Sequence, residues 1–240
     1  MSVDSSGDPA IRENVQPLSG IGTLREGPLH AALKDLYGRP GDRAEVKVGR
    51  FVIDLVRADG ELVEFQTGSF SPLGPKLDAL LDEHRIRIVH PVAAERRIVR
   101  VDQHGEVVGA RRSPRKGRSL AIFERLVSFP SLLAHPNLAI EVLLCREDHV
   151  RAPEPKRGRR FLRDPGERHL REVLDRIVLE KPADALALVA PPAEAFTNRD
   201  LATALGCDLR LAERATYCLR HLGVIEASGK RGRAALFTMA

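Results

Sequence analysis

One hairpin limits what this chain can fold into more than any other stretch. The segment FVIDLVRADGELVEFQT, from Phe51 to Thr67, places Asp54, Glu64 and Gln66 among Val, Ile, Leu and Phe. The β-rich runs on either side of Ala58-Asp59-Gly60 read as two strands and a turn. A buried carboxylate without a partner is costly, and two that face each other repel unless a cation lies between them. The turn decides whether they face. A two-residue Asp59-Gly60 turn pairs Asp54 with Phe65 and sends the carboxylates to opposite faces. A three-residue Ala58-Asp59-Gly60 loop, with Gly60 left-handed, pairs Arg57 with Glu61 and hence Asp54 with Glu64. Gln66 then projects from the same face two residues on. In that register two carboxylates and an amide make an oxygen-rich site suited to Mg²⁺ or Mn²⁺.

The surrounding elements follow from periodicity. GPLHAALKDLYG has Leu29, Ala32, Leu33 and Leu36 at helical spacing, and Gly38, Pro40 and Gly41 stop it. AEVKVGRFVIDLVR and ELVEFQT supply three strands. SPLGPKLDALLDEH predicts a helix with Leu73, Leu77, Leu80 and Leu81 along one side, and IRIVHPV a short buried strand ending near His90. RRIVRVD and GEVVGARR read as a second hairpin, SPRKGR as a basic loop, and SLAIFERLVSF as a short helix. NLAIEVLLCREDHV reads as one strand or two. Helix, three strands, helix and strand are thus in order by residue 92.

Asp54, Glu64 and Gln66 in that order of elements resemble the PD-(D/E)xK nuclease superfamily. The resemblance implies an α/β restriction-endonuclease-like core in which Asp54 and Glu64 hold Mg²⁺ (or Mn²⁺) for phosphodiester hydrolysis. Gln66 stands where Lys is usual, a change that some restriction enzymes of the superfamily share. Lys76, at the start of the next helix, would then supply the ammonium near the attacking water. Glu26, just before the first helix, matches the family's accessory acid. EFQTGSFSPLGPKL, RIRIVHPVA and HPNLAIEVLL also look like an uncharacterised bacterial family built on this core, which implies no substrate. The competing reading is an ordinary hairpin with solvent-facing acids.

The rest of the chain divides by composition. Residues 1–20 are rich in Ser, Gly, Asp and Pro and read as a disordered lead, leaving 21–150 as the nuclease-like domain. Residues 151–164 carry Pro153, Pro155, Lys156, Arg157, Arg159 and Arg160 and read as a basic hinge. In 165–240, ERHLREVLDRIVLEK reads as an amphipathic linker helix with Leu170, Val173, Leu174, Ile177 and Val178 inward. From Phe196, Thr197 and Asp200 form a capping-box pattern, and Gly206 and Gly223 end two successive helices. VIEA and AALFTM then flank SGKRGR. That order resembles a winged helix-turn-helix, an α+β domain. It implies DNA contacts from Arg210, Arg214, Tyr217 and Arg220 on the second helix and from Lys230, Arg231 and Arg233 in the wing. Cys207, Cys218 and His221 lack a fourth residue at zinc spacing and read as packing.

Charge and composition narrow the partners. A net charge of +5 over 240 residues is a mild excess that invites a polyanion, which the nuclease and winged-helix resemblances imply is DNA. Aromatic residues at 4% with no Trp argue against carbohydrate binding and base stacking on single strands. Three scattered cysteines and the lack of a long apolar run or signal pattern point to a cytoplasmic protein without a membrane span. The reading is therefore a metal-dependent nuclease-fold protein that binds and cleaves DNA. Its rivals are a catalytically inactive DNA-binding regulator, as a homodimer or otherwise, and a protein-docking component of a bacterial defence system.

Overall fold

The computed structural model describes residues 27–151 and 166–240. Glu26, the 1–20 lead and almost all of the 151–164 stretch lie outside the described residues. Pro28 at the first helical position, with its backbone angle preset, opens helix α1 (Pro28–Tyr37). Its Leu29, Leu33 and Tyr37 recur every fourth residue and bury one stripe against the sheet. Strands β1 (Arg43–Val48), β2 (Phe51–Val56) and β3 (Leu62–Phe65) follow as an antiparallel meander. A 3₁₀ turn (Ser71–Leu73) leads into helix α2 (Gly74–Leu80).

β4 (Ile86–Val101) is the axis of the sheet. It runs parallel to β3 over its first residues, and β5 (Val107–Arg112) pairs with its far end as an antiparallel hairpin. IRIVHPV and RRIVRVD are therefore one strand, with an irregularity between Ala93 and Glu95, and His90 lies inside it rather than at its end. Pro91 is tolerated there for a geometric reason. Val89 O and Ala93 O both accept bonds on the β3 side, from Gln66 N–H (2.9 Å) and Gly117 N–H (2.7 Å). Pro91 has the same parity, so its missing N–H faces a stretch where β3 has ended and β5 has not begun.

On the other edge of β4 lies β6 (Leu138–Arg151), parallel to it, and then β7 (Glu167–Leu179), antiparallel to β6. The seven strands run β1-β2-β3-β4-β6-β7, with β5 beside β4. β7 corrects the linker helix expected over ERHLREVLDRIVLEK, and with it the domain boundary: the strands on either side of the expected hinge are neighbours in one sheet. The misleading spacing has a cause. Glu147 pairs with Leu170 and Arg146 with Glu172, so Arg171 is an extra residue; Cys145 pairs with Val173 and Leu144 with Asp175, so Leu174 is another. Each bulge shifts the alternation by one, which puts Leu170 and Val173 on one face although they are three apart.

A short α3 (Phe123–Leu126) after a 3₁₀ turn (Ser119–Ile122) covers the face opposite α1. Helices α4 (Pro182–Val189), α5 (Asn198–Leu205) and α6 (Leu209–His221) and the hairpin β8 (Ile225–Arg231)–β9 (Ala234–Met239) complete the chain. Leu201, Ala212, Leu219 and Phe237 of this last module belong to the same apolar cluster as Ile53, Leu77 and Phe123. The sheet and the helical module thus share a core. Among the described residues no helix is long and apolar enough to cross a membrane.

Candidate functional site

The loop of the carboxylate hairpin has three residues. Arg57 N–H donates to Glu61 O (2.8 Å), Gly60 N–H to Arg57 O (3.0 Å), and Gly60 has φ 87°. Only glycine holds that angle without a Cβ penalty. The ladder then runs Val56 to Leu62 and Leu55 to Val63. Asp54 and Glu64 are the next opposed residues, and there the ladder gives way to side chains. Asp54 Oδ2 accepts the Phe65 N–H (2.8 Å) and a bond from His30 Nε2 (3.1 Å) on α1.

Glu64 is 6% exposed. Lys76, on the first turn of α2, reaches back over it: Nζ donates to Glu64 Oε1 at 2.6 Å and to Val52 O at 2.9 Å. A Lys–carboxylate pair at that distance is a charge-assisted bond. Glu64 and Lys76 are therefore brought together, and Asp54 lies close enough for its charge to act on Glu64.

Environment drives the two acids apart. Burial pushes Asp54 up, but the bonds from His30 and the Phe65 N–H outweigh it and hold the carboxyl below its usual range. Burial raises Glu64 above its usual value, the Lys76 ammonium offsets part of that rise, and the charge of Asp54 adds to it. Two neighbouring carboxyls shifted in opposite directions are a pattern of acid–base and metal sites.

Gln66 is placed differently from the expectation. Its amide Nε2 donates to Ser69 O within the following turn, so its donor side is committed to local structure. Its backbone carbonyl accepts from His90 Nδ1 at 2.6 Å, and His90 stacks edge-on against Phe70 at 5.3 Å. His30 was not singled out in the sequence. Its one signal is position, next to Leu29 of the buried stripe at the start of a helix, where a polar ring must find a partner.

Among the described residues no group of three or more His, Cys, Asp or Glu side chains could hold a metal ion. The protein donors at the hairpin are two carboxylates. The contacts above occupy Oδ2 of Asp54 and Oε1 of Glu64, leaving the second oxygen of each outside them. That donor set fits Mg²⁺, which keeps several waters and takes one or two carboxylates, and it does not fit a closed cage for a softer metal.

In the C-terminal module, Thr197 and Asp200 form the capping box of α5, and Asp208 caps α6. Arg210, Glu213, Tyr217 and Arg220 lie exposed along α6, Tyr217 at 44% exposure. Arg214 turns away from that face toward Glu124 on α3 (3.5 Å). Lys230 and Arg233 are exposed on the β8–β9 hairpin, whereas Arg231 is tied to Asp200 Oδ2 (2.9 Å) and Ala195 O (3.1 Å). Of the expected DNA contacts, Arg214 and Arg231 thus have structural partners. Thr216 Oγ1 on α6 is a buried side-chain oxygen without a hydrogen-bond partner.

Residues 27–180 match a family described as a domain of unknown function, DUF8091. The chain belongs to the DUF8091 family. The match ends just after β7, so the DUF8091 unit is α1 and the whole sheet, with the helical module beyond it. The chain is also similar to an uncharacterized protein of Treponema pallidum (strain Nichols), 31% identical over 227 residues that cover 90% of this chain and 86% of the relative. That alignment is longer than the DUF8091 unit, so the relative shares part of the C-terminal module as well. No solved structure matches the chain.

Proposed function

We propose that this DUF8091 protein is a Mg²⁺- or Mn²⁺-dependent phosphodiester hydrolase of DNA, built on a core like that of the PD-(D/E)xK nucleases. Its C-terminal helices and hairpin would act as a winged helix-turn-helix that engages DNA, in the cytoplasm. The supporting observation is the Lys76 ammonium 2.6 Å from Glu64, across the hairpin from Asp54. Two carboxylates and one cation at a strand end are the groups that hydrolysis of a phosphodiester requires. Asp54 and Glu64 would hold the metal, which when bound supplies Lewis acidity toward the phosphate. Lys76 holds a proton beside Glu64 and offers positive charge to the attacking water or the developing oxyanion. His30 orients Asp54 through Nε2. On this geometry the missing Lys at Gln66 is replaced from α2.

The test is a cleavage assay on duplex DNA, single-stranded DNA and RNA with Mg²⁺ or Mn²⁺. Wild type is expected to cleave duplex DNA, and Asp54→Ala and Lys76→Ala to lose cleavage while keeping DNA affinity within a few-fold. Absence of cleavage on all three nucleic acids, with either ion, refutes the hydrolase and leaves a DNA-binding scaffold.

A further inference from the structure

The sheet does not end where the carboxylates do. β4, β6 and β7 run on past the end of β3, and the face they present there is the face that carries Glu64. The parity shows it. Leu62 shares a core cluster with Ile140 and Val142 of β6, and Glu64 alternates in step with Leu62. Continuing by twos along β6 gives Leu144, Arg146 and Asp148. In the register of β4 and β5 the same face holds Glu95, Arg97 and Arg112.

Arg97 and Arg112 are direct cross-strand partners. Like charges directly opposite in an antiparallel pair destabilise it. Asp148 neutralises one of them, taking Arg97 through Nε (2.9 Å) and Nη2 (2.5 Å). Arg112 has no ion pair among the described residues, and neither have Arg115 and Lys116 on the loop just after β5; all three are exposed. Glu95, whose charge acts on Arg112 and Lys116, is already bridged to Arg146 at 3.2 Å. Arg97, Arg112, Lys116 and Arg146 line a cleft of about 480 Å³ together with Glu95 and Glu147, and Arg115 lies on the loop beside Lys116. Solvated surfaces usually intersperse the two signs; here Arg112 and Lys116 share the charge of one carboxylate, Glu95, with Arg146.

The 113–118 loop is also held in place. Gly117 N–H bonds to Ala93 O (2.7 Å), and a Cβ there would stand 2.7 Å from both Ala93 O and Val92 Cγ1, so only glycine fits. At its end Arg118 Nη1 donates to Leu205 O (2.7 Å) and Gly206 O (3.1 Å), in the turn between α5 and α6. The cations of this loop therefore sit fixed between the Glu64 face and the helical module.

We propose that this continuation of the Glu64 face is a platform for the phosphodiester backbone of a nucleic-acid duplex, with Arg112, Arg115 and Lys116 as its phosphate contacts. Charge complementarity favours a polyanion. The choice of nucleic acid over an acidic protein rests on the hydrolase reading above, which places a phosphodiester at the near end of the same face. Length agrees with a duplex. Glu64 is level with Ile88 and Arg112 with Arg97, about 26–30 Å along β4 at a strand rise of ~3.3 Å. That is the length of roughly eight base pairs.

The experiment is equilibrium binding of a 20-base-pair duplex by fluorescence anisotropy, in EDTA so that no cleavage intervenes, at several salt concentrations. Wild type is compared with the triple variant Arg112→Gln, Arg115→Gln, Lys116→Gln, and with Lys230→Gln, Arg233→Gln in the hairpin as a second basic site. Each phosphate contact removed should lower the slope of log K against log [salt] by about 0.9, so the triple variant should lose about 2–3 in slope and at least about tenfold in affinity near physiological salt. An unchanged slope in the triple variant overturns the proposal, as does competition by polyglutamate equal to that by duplex at matched charge. Because binding is read without cleavage, an inactive but duplex-binding wild type would refute the hydrolase and leave the platform standing.

Discussion

Lowering the pH should loosen this fold through His90. The ring is 4% exposed, donates through Nδ1 to Gln66 O at 2.6 Å, and lies edge-on to Phe70. Burial, partly offset by the Gln66 bond and reinforced by Arg125 and Arg168, pushes its pKa from 6.5 down to about 4. Because Nδ1 already carries a proton, acid must add one at Nε2 and create a buried cation near two guanidiniums. The sign follows from proton counting. Between pH 6.5 and 4 the unfolded chain binds a proton that the folded chain refuses, so stability falls as pH falls through that window and is fully present above it. For pKa values of 6.5 unfolded and about 4 folded, the loss is about 1 kcal/mol by pH 5.5 and about 2 kcal/mol by pH 4.5, relative to neutral pH. Urea unfolding of wild type and His90→Asn at pH 7.5, 6.5, 5.5 and 4.5 isolates this share. Asn keeps a donor near the Nδ1 position and cannot titrate. The variant should be less stable at pH 7.5 through lost packing, yet the gap should narrow by about 1 kcal/mol at pH 5.5. If the two proteins lose stability in parallel from pH 7.5 to 5.5, His90 is not the buried neutral group described here.

Three further perturbations probe other parts of the fold. Glu147 is 1% exposed between Arg96 Nε (2.5 Å) and Arg168 Nη2 (2.7 Å), so Glu147→Ala should cost ~3–5 kcal/mol by chemical denaturation, and a loss below about 1 kcal/mol would mean the pair of guanidiniums needs no counter-charge. Gly117→Ala forces a Cβ to within 2.7 Å of backbone and should lower stability by ~1–3 kcal/mol in thermal melts, with an unshifted melt counting against the pinned loop. Arg118→Ala removes two bonds to the α5–α6 turn, and should cost about 1 kcal/mol and speed hydrogen exchange at Gly206 and Cys207; unchanged exchange there would show that the tie is dispensable.

The elements that were legible in the sequence are those whose determinants are local. α1 is bracketed by Pro28 and Gly38 and carries a four-residue apolar repeat, and it forms as read. The hairpin loop is set by a single glycine with φ 87°, which selects one of the two registers considered. Lys76 could be placed because two residues of 3₁₀ turn more or less leave it at the start of α2, within reach of Glu64. What misled was non-local. β7 carries its inward residues at helix-like spacing because bulges opposite Arg146 and Cys145 break the alternation, and nothing in ERHLREVLDRIVLEK itself reports the partner strand. Pro91 looked like the end of a strand because its tolerance depends on where β3 stops. The pairing of Gln66 with Ser69, of Arg214 with Glu124 and of Arg231 with Asp200 likewise depends on which groups folding brings near.

These non-local features converge on one place. β3 ends at Phe65, level with Val89, and β5 ends at Arg112, opposite Arg97, so the β3-side edge of β4 is without a strand in between. A strand there would cover the end of β3, where Glu64 meets Lys76, and Pro91 discourages one by offering no donor on that edge. The vacancy is instead bridged by the loop after β5, through Ser113 on Arg96 O (2.8 Å) and Gly117 on Ala93 O (2.7 Å), and that loop presents Arg115 and Lys116 and ends in Arg118 on the α5–α6 turn. The stretch of β4 left without a strand thus has Glu64 at one end and the basic 113–118 loop at the other, and Arg118 links that loop to the helical module.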